Sequence, residues 1–334
     1  MNRSSRTVPT IMLFLSLAVA LTCSALARAG ESQPKPQFVY KTVGERQLRT
    51  DVLYPDDWKS TDRRPAMVFF SGGAWRSGTT VQFAPQAEYF AKRGLVTVRA
   101  EYRDSTRDKV TPNICLHDAI SAMRWVRKNA DKLGVDPGRI VSSGGSAGGY
   151  LAAAVATIDD YHSPDDDLSV SPKPNAMVLF NPVVDFVSLD IAPKFGIDAE
   201  LAARISPLRY VTKDLPPTLI LIGSKDDFLG QNRQFMEKAK DLGVRVEIDL
   251  AEGQPHAYFN RSPWMEKTVA AADEFLVSLG YLGEEPRVEL PSPKKRCLAG
   301  RQMPTPGITR SAFSWYTFRK TSSGKSRPLS FQRV

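Results

Sequence analysis

Cysteine and histidine are the scarce residues of this 334-residue chain, which holds three of each. So few thiols, at Cys23 near the start, Cys115 in a helical pattern and Cys297 in a basic tail, exclude a disulfide framework, and a domain of this size is expected to fold without one. The shortage of histidine confines any imidazole chemistry to His117, His162 or His256. Internal repeats are lacking, which excludes solenoid and propeller architectures. Long uncharged apolar runs are lacking too, apart from residues 11–27.

That run follows Arg3 and Arg6 and ends in Ala27-Arg28-Ala29, the pattern of a cleavable secretory signal peptide over residues 1–29. Its strongly apolar part is short for a span of roughly 20 residues and carries Thr22, Cys23 and Ser24, so cleavage after Ala29 is expected rather than a retained anchor. Cys23 has no small-residue run before it of the kind that precedes a lipidated cysteine. The expected location is secreted or periplasmic, with no stable membrane insertion after cleavage.

The formal net charge of +9 is not a nucleic-acid signal. Eleven basic residues against one acid in residues 286–334, and three arginines in residues 1–29, leave residues 30–285 four charges to the acidic side of neutral. A mildly acidic body is ordinary for a soluble enzyme. The tail has prolines, serines and basic residues without sustained periodicity, the composition of a disordered segment, although Phe313, Trp315, Tyr316 and Phe318 stand beside Arg319 and Lys320.

Within the body, half-polar segments 38–43 and 47–54 read as an antiparallel edge pair. Apolar runs at 66–70, 95–100, 138–145, 176–180, 218–222 and 244–250 then alternate with helical patterns at 83–93, 113–133, 150–156, 231–242 and 264–279. Uniformly apolar strands alternating with helices predict a mostly parallel sheet covered on both faces, in one domain over residues 30–285. Residues 184–215, with a helical pattern at 199–205, form the one sizeable insertion and are expected to make a small lid.

Val141-Ser142-Ser143-Gly144-Gly145-Ser146-Ala147-Gly148-Gly149-Tyr150 reads as a strand that turns through a serine directly into a helix. Glycines two before and two after Ser146 permit the close approach that such a turn requires, and the turn thrusts Oγ out of the sheet. The Ala147 amide, at a helix N-terminus, is left free for a developing oxyanion.

A serine hydroxyl needs a base. His117 shares a polar stripe with Ser121, Arg124 and Lys128 and reads as a surface histidine; His162 lies in the acidic loop 159–167, read as solvated and matching no metal-binding spacing. His256 follows the last strand, in Glu252-Gly253-Gln254-Pro255-His256, at the sheet edge where a ligand site belongs. It is the base by elimination. Asp226 and Asp227, after the strand at 218–222, both qualify as its orienting carboxylate.

From about residue 46 to 279 the chain resembles the α/β-hydrolase fold of the acetyl esterase/lipase group, related to hormone-sensitive-lipase-like and feruloyl-esterase-like enzymes. The resemblance is carried by Ser71-Gly72-Gly73-Ala74-Trp75, Glu101-Tyr102-Arg103, Gly144-Gly145-Ser146-Ala147-Gly148-Gly149 and Glu252-Gly253-Gln254-Pro255-His256. It implies a Ser146–His256–Asp226 triad, an oxyanion hole from the amides of Gly73, Ala74 and Ala147 with Gly72 permitting the turn, no cofactor and no metal. The implied activity is secreted carboxylesterase action on short-chain acyl esters, including acetyl or feruloyl groups on polysaccharide. A serine peptidase on the same fold and a non-catalytic binding protein are the competing expectations. The chain departs from the group's pattern at Ser71, where a histidine is usual, and at Ala74, where a glycine is usual.

Overall fold

The computed structural model describes residues 36–77, 79–188 and 191–284. The signal-peptide and disordered-tail expectations, for residues 1–29 and 286–334, lie outside the described residues. Among the described residues, eight strands build one sheet: β1 (Gln37–Val43), β2 (Arg46–Leu53), β3 (Arg64–Phe70), β4 (Val96–Ala100), β5 (Val135–Gly145), β6 (Ala176–Phe180), β7 (Thr218–Gly223) and β8 (Val246–Ala251). Their spatial order is β1-β2-β4-β3-β5-β6-β7-β8. The first two pairings, β1 with β2 and β2 with β4, are antiparallel, and every later one is parallel.

Among the described residues, seven α-helices accompany the sheet: α1 (Ala84–Lys92), α2 (Pro112–Lys128), α3 (Ala130–Leu133), α4 (Ala147–Thr157), α5 (Ala199–Arg204), α6 (Leu229–Asp241) and α7 (Trp264–Ser278). Strand residues alternate between two cores, as the two-residue period of a strand requires. Ala66, Val68 and Phe70 of β3 face the layer holding Leu116 and Met123 of α2, Leu151 of α4 and Phe235 of α6. Met67 and Phe69 face the layer holding Phe90 of α1 and Phe275 of α7. Every residue of α4 is buried, and its run of alanines lets it lie close against the sheet while α2 and the insertion cover its far side.

Three sequence expectations are corrected. The helix read over 113–133 is interrupted at Asn129, whose side-chain amide donates to the Trp125 carbonyl at 2.8 Å and so competes with helix continuation. The stripe of His117, Ser121 and Arg124 is not a solvent face, and the acidic loop is not freely solvated, because the loop docks onto that stripe. Asp166 accepts from Ser121 Oγ at 2.6 Å and from Arg124 Nη1 at 2.7 Å, and Arg124 Nε donates to the Val170 carbonyl at 2.9 Å. Arg124 Nη2 lies 3.2 Å from His162 Nδ1, which must accept because a guanidinium only donates. His117 is thereby half-buried with its ring near Tyr161. Lastly, β5 starts at Val135 rather than at Gly138, through a register irregularity that pairs Val135 with Arg64.

The insertion carries α5 between two short 3-10 turns, Ala192–Phe195 and Pro207–Tyr210. Its root is fixed to the body: Gln231 Oε1 of α6 accepts from the Val184 and Asp185 amides, and Ser206 Oγ accepts from the Phe186 amide at 3.0 Å.

Candidate active site

Of the three serines in the 142–146 run, two serve the fold. Ser142 Oγ and Ser143 Oγ are buried and donate to the carbonyls of Ala152 and Val178. Ser146 stands at the junction of β5 and α4 with φ 55° and ψ −115°, a conformation an L-residue holds at a cost of roughly 1–3 kcal/mol. The junction is held by a hydrogen bond donated by the Ser146 N–H to the Phe180 carbonyl at 2.9 Å and by the lack of side chains around it. A Cβ on Gly148 would stand 2.0 Å from the Phe70 carbonyl oxygen, and one on Gly144 2.5 Å from the Gly148 backbone. Ser146 is left partly exposed.

The loops after β7 and β8 are laced together. Ser224 N donates to the Ala251 carbonyl and Lys225 N to the Gln254 carbonyl, both at 3.0 Å, and a Cβ on Gly223 would meet the Gln254 carbonyl at 2.1 Å. This lacing sets Asp226 and His256 in register. Asp226 Oδ2 lies 2.8 Å from His256 Nδ1, and its Oδ1 accepts from the Phe228 amide at 2.9 Å. Asp226 is buried, whereas Asp227 is exposed. The geometry thus separates two carboxylates that the residues alone leave equivalent. His256 Nε2 lies 2.9 Å from Ser146 Oγ, and the Phe228 ring packs edge-on to the imidazole. With Nδ1–H donating to Asp226, Nε2 carries the lone pair that Ser146 Oγ–H faces.

Beside this line, β3 runs into the turn of Ser71–Trp75. Gly73, Ala74 and Trp75 hold φ of 120°, 54° and 54°, and a Cβ on Gly73 would overlap the Ser77 carbonyl oxygen. Ala74, where the resembled group carries glycine, therefore sits in the left-handed region. The turn is pinned from outside by Tyr102 Oη donating to the Ser71 carbonyl at 2.7 Å, with burial pushing the Tyr102 phenol far up so that it stays a donor. Ser105 N donates to the Trp75 carbonyl at 2.8 Å. The Gly72 amide donates to Gln82 Oε1 at 2.6 Å, so Gly72 supplies shape rather than a free donor. Ala147 is the first residue of α4, ahead of the first intrahelical bond from Tyr150 N to the Ser146 carbonyl, so its amide has no helical acceptor.

This chain matches the BD-FAE family over residues 50–238. It belongs to that family. The BD-FAE match spans the turn at Ser71–Trp75, Ser146 and Asp226, while His256 lies beyond it. Among curated proteins, the Carboxylesterase NlhH of Mycobacterium tuberculosis is 27% identical over 251 residues, covering 69% of this chain and 78% of its own. Esterase LipC of the same species is 28% identical over 249 residues, covering 63% of this chain and 60% of its own. Esterase 2 of Thermogutta terrifontis, phosphoramylated by tabun, superposes with TM-score 0.71 at 41% identity, over 76% of this chain and 98% of its own. Its propionate-bound form does so with TM-score 0.71 at 41% identity, over 75% and 97%. This BD-FAE member has an α/β-hydrolase fold and is a carboxylic ester hydrolase.

Among the described residues no group of three or more His, Cys, Asp or Glu is placed to hold a metal ion, and no helix is long and apolar enough to cross a membrane. Two residues of the site escaped the sequence. Asn181 is fully buried, with φ 36°; its Oδ1 accepts from the Ala257 amide at 3.1 Å and its Nδ2 lies 3.4 Å from His256 Nε2. A polar residue directly after the apolar run 176–180, at the sheet edge where the other site residues lie, was the available signal. Gln82 carries no comparable one.

Proposed function

We propose that the protein is a serine carboxylesterase using Ser146 as nucleophile, His256 as general base and Asp226 as the carboxylate that orients it. The observation that carries this reading is the unbroken line of two contacts, 2.9 Å from Ser146 Oγ to His256 Nε2 and 2.8 Å from His256 Nδ1 to Asp226 Oδ2. Ser146 Oγ attacks the ester carbonyl carbon as its proton passes to Nε2. The carbonyl oxygen becomes the oxyanion and is met by the amides of Gly73, Ala74 and Ala147. The C–O bond to the alcohol breaks, Nε2 returns the proton to the departing oxygen, and water enters by the same steps in reverse to free the acid.

The substrates proposed are short acyl esters, including acetyl or feruloyl groups on polysaccharide. The insertion is small, which leaves space for a bulky alcohol, and one superposed esterase is described as propionate-bound and another form of it as butyrate-bound. Secretion or periplasmic export after cleavage at Ala29 fits a polymeric substrate outside the cell. The test is a fluorophosphonate probe followed by peptide mapping, alongside p-nitrophenyl esters of graded chain length and acetylated xylan. Labelling confined to Ser146, lost in Ser146→Ala together with turnover, is expected. Labelling of another residue, or turnover retained in Ser146→Ala, overturns the assignment.

A further inference from the structure

The turn that offers Gly73 and Ala74 amides has three successive residues at positive φ, of which Ala74 and Trp75 hold it at a cost because they are not glycine, and it begins with Ser71 where the resembled group has histidine. Something must hold it. Tyr102 fixes the Ser71 carbonyl from one side. From the other, the Gln82 side chain reaches back ten residues: its Oε1 takes the Gly72 amide at 2.6 Å, the shortest contact on the turn. The same carboxamide extends further. Gln82 Nε2 donates to Asn260 Oδ1 at 3.3 Å, Asn260 Nδ2 donates to the Ala257 carbonyl at 3.1 Å, and the Ala257 amide donates to the Asn181 Oδ1. Each amide is oriented by its partners, since reversing Gln82 would set an NH2 against the Gly72 N–H.

We infer that Gln82 is a positioning residue for this esterase: it locks the turn carrying the oxyanion donors and, through Asn260, ties that turn to the loop bearing His256. The inference rests on the triad reading above. A donor displaced by a few tenths of an ångström still admits substrate but meets the oxyanion poorly, so the effect belongs to the transition state and not to ground-state binding. Loss of a whole oxyanion donor lowers kcat by about 10²–10³; loosening the support of two donors is expected to cost about tenfold or more.

The experiment compares Gln82→Met, which keeps the volume and removes both hydrogen bonds, with Asn260→Ala, which trims an exposed side chain and breaks only the link to the histidine loop. Each is measured for kcat and KM on a p-nitrophenyl ester, for thermal melting, and for inhibition by an alkyl trifluoromethyl ketone, whose adduct with Ser146 places an oxyanion in the hole. Gln82→Met is expected to lower kcat and ketone affinity by the same factor, with KM little changed, and Asn260→Ala to do so by a smaller factor in the same direction. Unchanged kcat and ketone affinity in Gln82→Met, or a loss seen only as a lowered melting temperature, overturns the role. If Gln82→Met does not fold, unchanged kcat in Asn260→Ala overturns the tie to the histidine loop. Turnover surviving in Ser146→Ala would instead sink the triad reading, whatever Gln82 does.

Discussion

Replacing Asp226 by asparagine isolates the electrostatic part of the site, because the substitution keeps size and shape. Oδ1 of Asp226 already accepts from the Phe228 amide, so the asparagine oxygen remains there and its NH2 takes the place of Oδ2, facing His256 Nδ1–H at the 2.8 Å contact. Flipping the carboxamide only moves the clash to the Phe228 N–H. The imidazole relieves it by carrying its proton on Nε2, where it points at Ser146 Oγ and leaves no lone pair to receive the serine proton. Serine enzymes so altered lose about 10⁴ in turnover, equivalent to about 5.5 kcal/mol of transition-state stabilisation. The stability cost is that of one mismatched buried pair, about 1–3 kcal/mol, so an assay well below the melting temperature separates the two. Asp227→Asn, at an exposed position, is expected to stay within about twofold of wild type, since surface substitutions of this kind change little. The measurement is kcat/KM for both variants on one soluble ester, with a melting curve for each. A loss under tenfold in Asp226→Asn, or a larger loss in Asp227→Asn, would refute the reasoning.

Gly148→Ala is expected to destabilise the fold by about 2 kcal/mol or more and to lower turnover, because its Cβ meets the Phe70 carbonyl at 2.0 Å and both contacting groups are backbone. Gly230→Ala in α6, with nothing within 4 Å, should be neutral or slightly stabilising by chemical denaturation, and the opposite ranking would defeat the packing account. His117 is held below its ordinary value of 6.5, chiefly by burial and then by Lys41, with Asp118 and Asp166 opposing and Arg103 adding to the decrease. The unfolded chain therefore binds this proton at higher pH than the folded one, so stability present at neutral pH is lost as pH falls through about 6.5. The melting temperature of His117→Gln should fall less than that of wild type between about pH 7.5 and about pH 5.5; parallel curves would show that His117 contributes nothing there.

Local grammar made much of this molecule legible. The strand–serine–helix junction, the apolar runs and the position of His256 after the last strand are written in neighbouring residues, and the structure sets them in one sheet with the candidate residues at the strands' carboxyl ends. What was not legible depends on partners far away in sequence. Ser121 and Arg124 look like part of a solvent-facing stripe until residues 159–171 fold across them. The residues alone leave Asp226 and Asp227 open: the resemblance names Asp226, and the lacing of two loops is what buries it while Asp227 stays exposed. Gln82 and Asn260 meet across 178 positions, and neither sits in a pattern that a short window of sequence distinguishes. The start of β5 at Val135, with Pro137 and Gly138 inside the strand, likewise contradicts local propensity and is set by pairing with Arg64.

The candidate chemistry is distributed over the ends of four strands, β3, β5, β7 and β8, with Ser146 and His256 separated by 110 positions. No contiguous fragment of the chain holds Ser146, His256 and the Ser71–Trp75 turn together without most of the sheet. Turnover is consequently expected to report on assembly of the whole sheet, since the contact of Ser146 with His256 closes across 110 positions and such non-local contacts are slow to form. A molecule in which the loops after β5, β7 and β8 have not met is expected to be catalytically silent, so the number of active molecules in a preparation counts completed sheets.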